Sequence, residues 1–211
     1  MVGSYDTAGP GECETVQDTA ETTRNFVLYF AMPLWMSMGF ADYLCHRATQ
    51  IERTSGLQES LLHSLLLMEM AIPVALCLYF EVTPLILVLM IAAFLVHEAT
   101  ALWDVAYAQE RRQIWLIETH IHSYLGVLPF MMGSFVICLN WNQFLSLFGV
   151  GNEPPRFELI WKQPQFPVWY HLLLNGLLLV LLVIPYAEEA WRCLRTRHLP
   201  RLHPVVPRPA P

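Results

Sequence analysis

Apolar residues run along this chain in long blocks separated by short polar stretches. A membrane-spanning helix needs about 20 predominantly apolar residues. Five blocks reach that length, at about 25–47, 57–80, 84–107, 114–140 and 167–191. The separators read as turns. Ser55-Gly56 divides the first two blocks. Glu81-Val82-Thr83-Pro84 divides the next two, with Pro84 suited to the first turn of the following helix. Gln109-Glu110-Arg111-Arg112-Gln113 precedes the fourth. The pattern predicts an all-α fold, a polytopic membrane bundle of about five transmembrane helices forming one domain over 25–195. An acidic polar tail at 1–24 precedes it, and a Pro-rich tail at 196–211, expected to be disordered, follows it. The loop at 141–166 carries Trp141 and Trp161 near the interface, and its Phe144–Phe148 run is expected to lie on the membrane surface.

Composition sharpens this picture. The 211 residues are 55% hydrophobic and 14% charged, against about a quarter charged in soluble domains. The net charge of -6 comes partly from Asp6, Glu12, Glu14, Asp18 and Glu21 ahead of the first block. No large basic surface exists, which excludes nucleic acid as a partner. The five cysteines are scattered without a CxxC pair, so neither a disulfide framework nor a thiolate metal site is expected. The first 24 residues lack the basic and apolar regions of a cleaved signal peptide, so the first block is expected to stay as an anchor. Arg47, Arg53, Arg111, Arg112, Arg192, Arg195, Arg197 and Arg201 fall on one side of the membrane; Arg24, Arg156 and Lys162 fall on the other. The positive-inside rule then puts the N-terminus outside and the C-terminus in the cytoplasm.

Ionisable residues inside the apolar blocks change the picture most. Each costs roughly 2.5–3.5 kcal/mol at the bilayer centre on insertion scales, which makes such groups functional candidates. Asp42 and His46, Glu59 and His63, and Glu118 and His122 are i,i+4 pairs, each on one helix face. His97 and Asp104 stand two turns apart on one face. Antiparallel threading brings all eight within roughly 15 Å of one membrane boundary. His63, His97 and His122 are expected in a deeper layer near Asp42, with His46, Glu59, Asp104 and Glu118 in a shallower one. Imidazole and carboxylate together are ligands of iron, zinc and manganese. Two layers of them predict a site for two divalent ions. Glu98 and His120 point elsewhere. Glu69, deeper on the second helix, is a candidate for lining a substrate cavity or relaying protons. Glu188 and Glu189 are expected to be solvated beside Arg192, or else to support the ligands from behind. The methionines read as packing.

Gly39-Phe40-Ala41-Asp42-Tyr43-Leu44-Cys45-His46-Arg47, His97-Glu98-Ala99-Thr100-Ala101-Leu102-Trp103-Asp104 and Glu118-Thr119-His120-Ile121-His122-Ser123 resemble segments of a bacterial polytopic inner-membrane protein family. The resemblance covers about 25–195; it implies an inner-membrane location and supplies no chemistry. A looser likeness in kind links the chain to membrane-embedded diiron hydroxylases and desaturases, whose HxxxH and HxxHH clusters it lacks. Soluble diiron bundles use Glu-x-x-His, where this chain has Glu-x-x-x-His. Four functions compete at this point. The first is a dinuclear non-haem iron oxidoreductase acting on a membrane lipid or other apolar molecule, served by an electron-donor protein. The second is a zinc hydrolase of membrane lipids using His63, His97, His122 and Asp42, with Glu59 or Glu118 as base. The third is b-haem electron transfer between His63 and His122. The fourth is metal transport, which would need polar groups continuing across the membrane. The alternative to all of them is a polar network that ties the helices together without metal.

Overall fold

The computed structural model describes residues 10–150, 154–200 and 202. Among them the chain is helical, with no β-pairing beyond one isolated bridge between Phe80 and Trp161. The first run is continuous: α1 (Pro10–Phe26), a π segment (Val27–Ala31) and α2 (Met32–Ala48). There follow α3 (Leu57–Tyr79), α4 (Pro84–Gln109), α5 (Leu116–Leu139) and the short α6 (Trp141–Ser146). The last run joins α7 (Val168–Leu178), a second π segment (Leu179–Val183) and α8 (Ile184–Thr196). Four of these, α3, α4, α5 and the run Val168–Thr196, are long and apolar enough to cross a membrane. The first apolar block falls outside that set: α2 by itself is 17 residues and carries Asp42, His46 and Arg47.

Both π segments end two residues before a proline, Pro33 and Pro185. Proline has no N–H to donate, and its ring crowds the carbonyl four residues back. The turn ahead of it widens, and the helix continues.

The helices close into a ring. α2 packs on α5, α5 on α4, α4 on α3, α3 on α8, and α8 back on α2. The closure is tight at Gly39, where an added Cβ would fall 2.6 Å from Leu182 Cδ2; there the Tyr186 hydroxyl donates to the Gly39 carbonyl at 3.1 Å. The outer surface is apolar, with Leu65, Leu95, Leu102, Val127 and Leu172 exposed, as a lipid-facing surface requires. The chain is thus a helical membrane bundle. Its interior is divided along the axis. Trp35, Met36, Met70, Leu78, Met132, Tyr170 and Leu174 form an apolar core towards one end, and ionisable side chains fill the other.

The loop before α7 is pinned over the apolar end. Glu81 N–H donates to the Ile160 carbonyl, Lys162 N–H donates to that of Tyr79, and Phe80 stacks on Trp161 at 4.5 Å. The acidic segment is helical from Pro10 onward. Most of the Pro-rich tail lies outside the described residues, although Leu202 N–H donates to the Arg53 carbonyl.

Candidate metal centre

Helix ends set the positions of the polar side chains. Glu59 and Glu118 are each the third residue of their helix, where free backbone N–H groups and the helix dipole favour a carboxylate. One turn further in stand His63 and His122. α2 and α4 arrive from the opposite direction and bring Asp42, His46 and Asp104 to the same level. α8 adds Glu189, and the turn between α4 and α5 folds Arg112 inward. Asp42, His46, Glu59, His63, Asp104, Arg112, Glu118 and Glu189 are all buried.

Two imidazoles lie at the middle of the cluster. His46 and His63 stack with ring centroids 4.1 Å apart and planes within 7°. Their Nδ1 atoms are gripped by the two oxygens of one carboxylate. Glu189 Oε2 is 3.1 Å from His46 Nδ1, and Oε1 is 2.9 Å from His63 Nδ1. Around the opposite nitrogens are further acids. His46 Nε2 is 3.3 Å from Asp42 Oδ2 and 3.5 Å from Glu118 Oε1. His63 Nε2 is 3.4 Å from Asp104 Oδ2 and 3.9 Å from Glu59 Oε1. His122 Nε2 is 2.9 Å from Asp42 Oδ1. Two sets of ligand atoms, each within 4.8 Å, result: Asp42, His46, Glu118 and His122, and His46, Glu59 and His63.

Two observations separate this arrangement from a finished hydrogen-bond network. The Nε2 atoms of His46 and His63 are buried and have no hydrogen-bond partner, and neither does Asp104 Oδ1. A neutral imidazole that donates Nδ1–H to a carboxylate keeps a lone pair on Nε2; that is how ligand histidines are oriented from behind. The second observation is charge. Asp42, Glu59, Asp104, Glu118 and Glu189 face one buried cation, Arg112. With neutral histidines, four formal negative charges remain without a counter-charge, the amount two divalent ions would supply; with His46, His63 and His122 protonated, one remains. Buried charges need pairing or a metal.

Arg112 lies in the turn outside the spans. Its Nε and Nη2 reach Glu59 Oε1 at 2.9 and 2.6 Å, and Nη1 reaches Glu118 Oε2 at 3.0 Å; Nη2 also bonds Glu118 Oε1. Burial works against its charge, but the hydrogen bonds and charges of Glu118 and Glu59 more than offset that and hold its pKa above the ordinary value.

Several expectations are revised. The two layers do not sort by depth. α2 packs on α5 and α3 on α4, so the ligand sets divide sideways, and His46 belongs to both. His97 stands apart, its Nδ1 3.6 Å from Glu69 Oε2, while the Thr100 hydroxyl donates to Glu69 Oε1 at 2.8 Å. The i,i+7 spacing puts His97 about 10 Å along α4 from Asp104, too far to join it. Glu189, expected to be solvated, is buried at the centre; Glu188 is the outward one, accepting from Tyr43 at 2.9 Å. The two adjacent glutamates point to different sides of α8, and their identity alone could not tell them apart. Arg112 sat in the sequence among orientation signals, and only the folded turn shows it facing inward. His120 is exposed and edges onto Tyr124. Glu98 turns towards α5, with Oε1 buried and unpartnered.

Protein-family models, curated proteins and solved structures yield no match to this chain, so the reading of the site rests on its own geometry. That geometry makes Glu189 a positioning residue. Glu189→Gln keeps the shape but turns one oxygen into an NH2 donor, which cannot accept from both Nδ1–H groups. For a metal held by these donors, affinity is expected to fall about 10- to 100-fold, measured by competition with a chelating dye, while circular dichroism stays unchanged. Undiminished affinity would remove Glu189 from that role.

Proposed function

We propose that this chain is a membrane-embedded, metal-dependent oxidoreductase with a dinuclear non-haem iron centre acting on a lipid or other apolar substrate. The observation that carries the reading is the pair of stacked imidazoles, His46 and His63, anchored through Nδ1 by one carboxylate, with bare Nε2 atoms among four further acids. Asp42, His46, Glu118 and His122 would hold one ion; Glu59, His63 and Asp104, with His46 beside them, would hold the other. A nitrogen-and-oxygen donor set rich in carboxylate suits iron or manganese. Iron in such a site supplies dioxygen activation, with electrons arriving from a donor protein. The protein side chains orient the ligands and exclude water. Glu69, with His97 and Thr100, sits between the centre and the apolar end and is the group available to move a proton there. In this reading the protein occupies the bacterial inner membrane, N-terminus outside, and the centre opens towards the cytoplasm.

Zinc-dependent lipid hydrolysis is the second reading, because the same donors can hold one Zn²⁺ and a water. It would draw on Asp42 and His122 rather than on His97. The b-haem reading finds little support, since carboxylate oxygens of Asp104 and Glu59 stand 3.4 and 3.9 Å from His63 Nε2 and one of Asp42 stands 2.9 Å from His122 Nε2, where a macrocycle would have to lie. Metal analysis of protein purified without chelators separates these readings. About two irons per chain, with oxygen uptake on addition of a reductant, is the expected result. One zinc per chain without oxygen uptake would favour hydrolysis. A folded protein that takes up neither metal overturns both.

A further inference from the structure

A half-open space lies among the helices, away from the ionisable cluster. It has a volume of about 430 Å³ and is lined almost wholly by apolar side chains, among them Trp35, Met70, Phe94, Met132 and Leu174. That volume is at the lower end of the roughly 300–1,000 Å³ of small-molecule sites, enough for one acyl chain and not for two. Three helices fix its distance from the metal-binding cluster. Trp35 precedes Asp42, Met70 follows His63 and Pro129 follows His122, each by seven residues. At 1.5 Å per residue its inner end lies about 10 Å from the cluster. Leu95 and Phe130 line the space while remaining more than half exposed, so it meets the lipid phase at the seam between α4 and α5.

The far end is different in kind. Arg24 and Lys162 line it, with Asn140. Neither cation forms an ion pair with a carboxylate among the described residues. Lys162 Nζ bonds only the Cys77 carbonyl and lies 4.7 Å from the ring of Phe166. Burial lowers its pKa and so does the charge of Arg24, while Cys77 and Glu81 act in the opposite direction. Two like charges at the mouth of an apolar space, Arg24 exposed and Lys162 half-buried, with no carboxylate ion-paired to either among the described residues, are complementary to an anion.

We propose that this space binds a single-chain anionic amphiphile of the fatty-acid class. Its carboxylate lies between Arg24 and Lys162, and its chain runs inward so that the distal end, not the headgroup, faces the metal-binding cluster. This names the substrate class of the proposed enzyme and rests on that reading; the binding itself does not require metal.

The test uses brominated stearate as a quencher of Trp35 fluorescence in the full-length protein in detergent, with Trp35→Phe as the background. Saturable quenching that Trp35→Phe removes is expected, both with metal and after chelation. Gly133 lines the space, and a Cβ added there meets no atom within 4 Å. Gly133→Phe should therefore fill part of the space and weaken binding about tenfold, as loss of roughly one side chain's worth of apolar contact would, with unchanged circular dichroism checking that the bundle is intact. Arg24→Gln should weaken stearate binding severalfold and leave the brominated alcohol of equal length unaffected. Competition by lysophosphatidylglycerol would assign the site to anionic single chains in general; its failure to compete would restrict the site to carboxylates. Absence of saturable Trp35 quenching, or equal affinities for acid and alcohol that Arg24→Gln does not change, overturns the proposal. Binding that survives in a protein shown to take up no metal would sink the oxidation and keep the site.

Discussion

His46→Ala and His63→Ala should each abolish most metal binding, with metal content per chain falling to a small fraction of wild type by mass spectrometry. Each imidazole supplies a bare Nε2, and each removal also frees one oxygen of Glu189 inside a closed ring. Removing one partner of a buried charged set costs about 3–5 kcal/mol, so these variants should also melt earlier. His120→Ala is the control. It carries the same group two residues from His122 and is turned about 200° round the helix, where it is exposed. Its metal content should match wild type. Equal loss in His120→Ala and His46→Ala would mean that the effect follows general damage to the bundle rather than the site.

Arg112→Leu should destabilise the metal-free protein more than any other single change outside the ligands. The guanidinium joins Glu59 on α3 to Glu118 on α5, and its loss leaves two buried carboxylates side by side. A cost of about 3–5 kcal/mol is expected, read from denaturant or thermal unfolding in detergent. Arg112→Lys should recover only part of it, because an ammonium lacks the planar fork that reaches two carboxylates. A divalent metal should raise the melting temperature of Arg112→Leu more than that of wild type, since the ion then supplies the missing positive charge. Wild-type stability in metal-free Arg112→Leu would show that the two acids are neutral and that no charge excess exists.

Much of this was readable along the chain. Helices and turns follow from block lengths and from Gly56 and Pro84, because bilayer thickness allows few other solutions. The convergence of Asp42, His46, Glu59, His63, Glu118 and His122 followed from i,i+4 spacing and antiparallel threading. Lateral order did not follow. Which helix neighbours which depends on packing, and the closed order α2, α5, α4, α3, α8 is what sorted the ligand sets, while His97 falls away from them because it stands two turns along α4 from Asp104, beside Glu69. Glu189 was legible only as the alternative reading, because one of two adjacent acids near a helix end beside Arg192 has the signature of a solvated residue. Its burial comes from Gly39, which lets α2 approach the α7–α8 run closely enough for Glu189 to reach across.

The closed ring also has a consequence in time. α8 is the last of these helices to leave the ribosome, and chains fold from the N-terminus during synthesis. It is also the element that packs against both α2 and α3 and carries the carboxylate that grips both central imidazoles. Until it inserts, His46 and His63 have no common anchor and the ring has an open side. The cluster is therefore completed only when α8 inserts. A chain cut short anywhere before α8 would leave His46 and His63 without Glu189 and one side of the ring open.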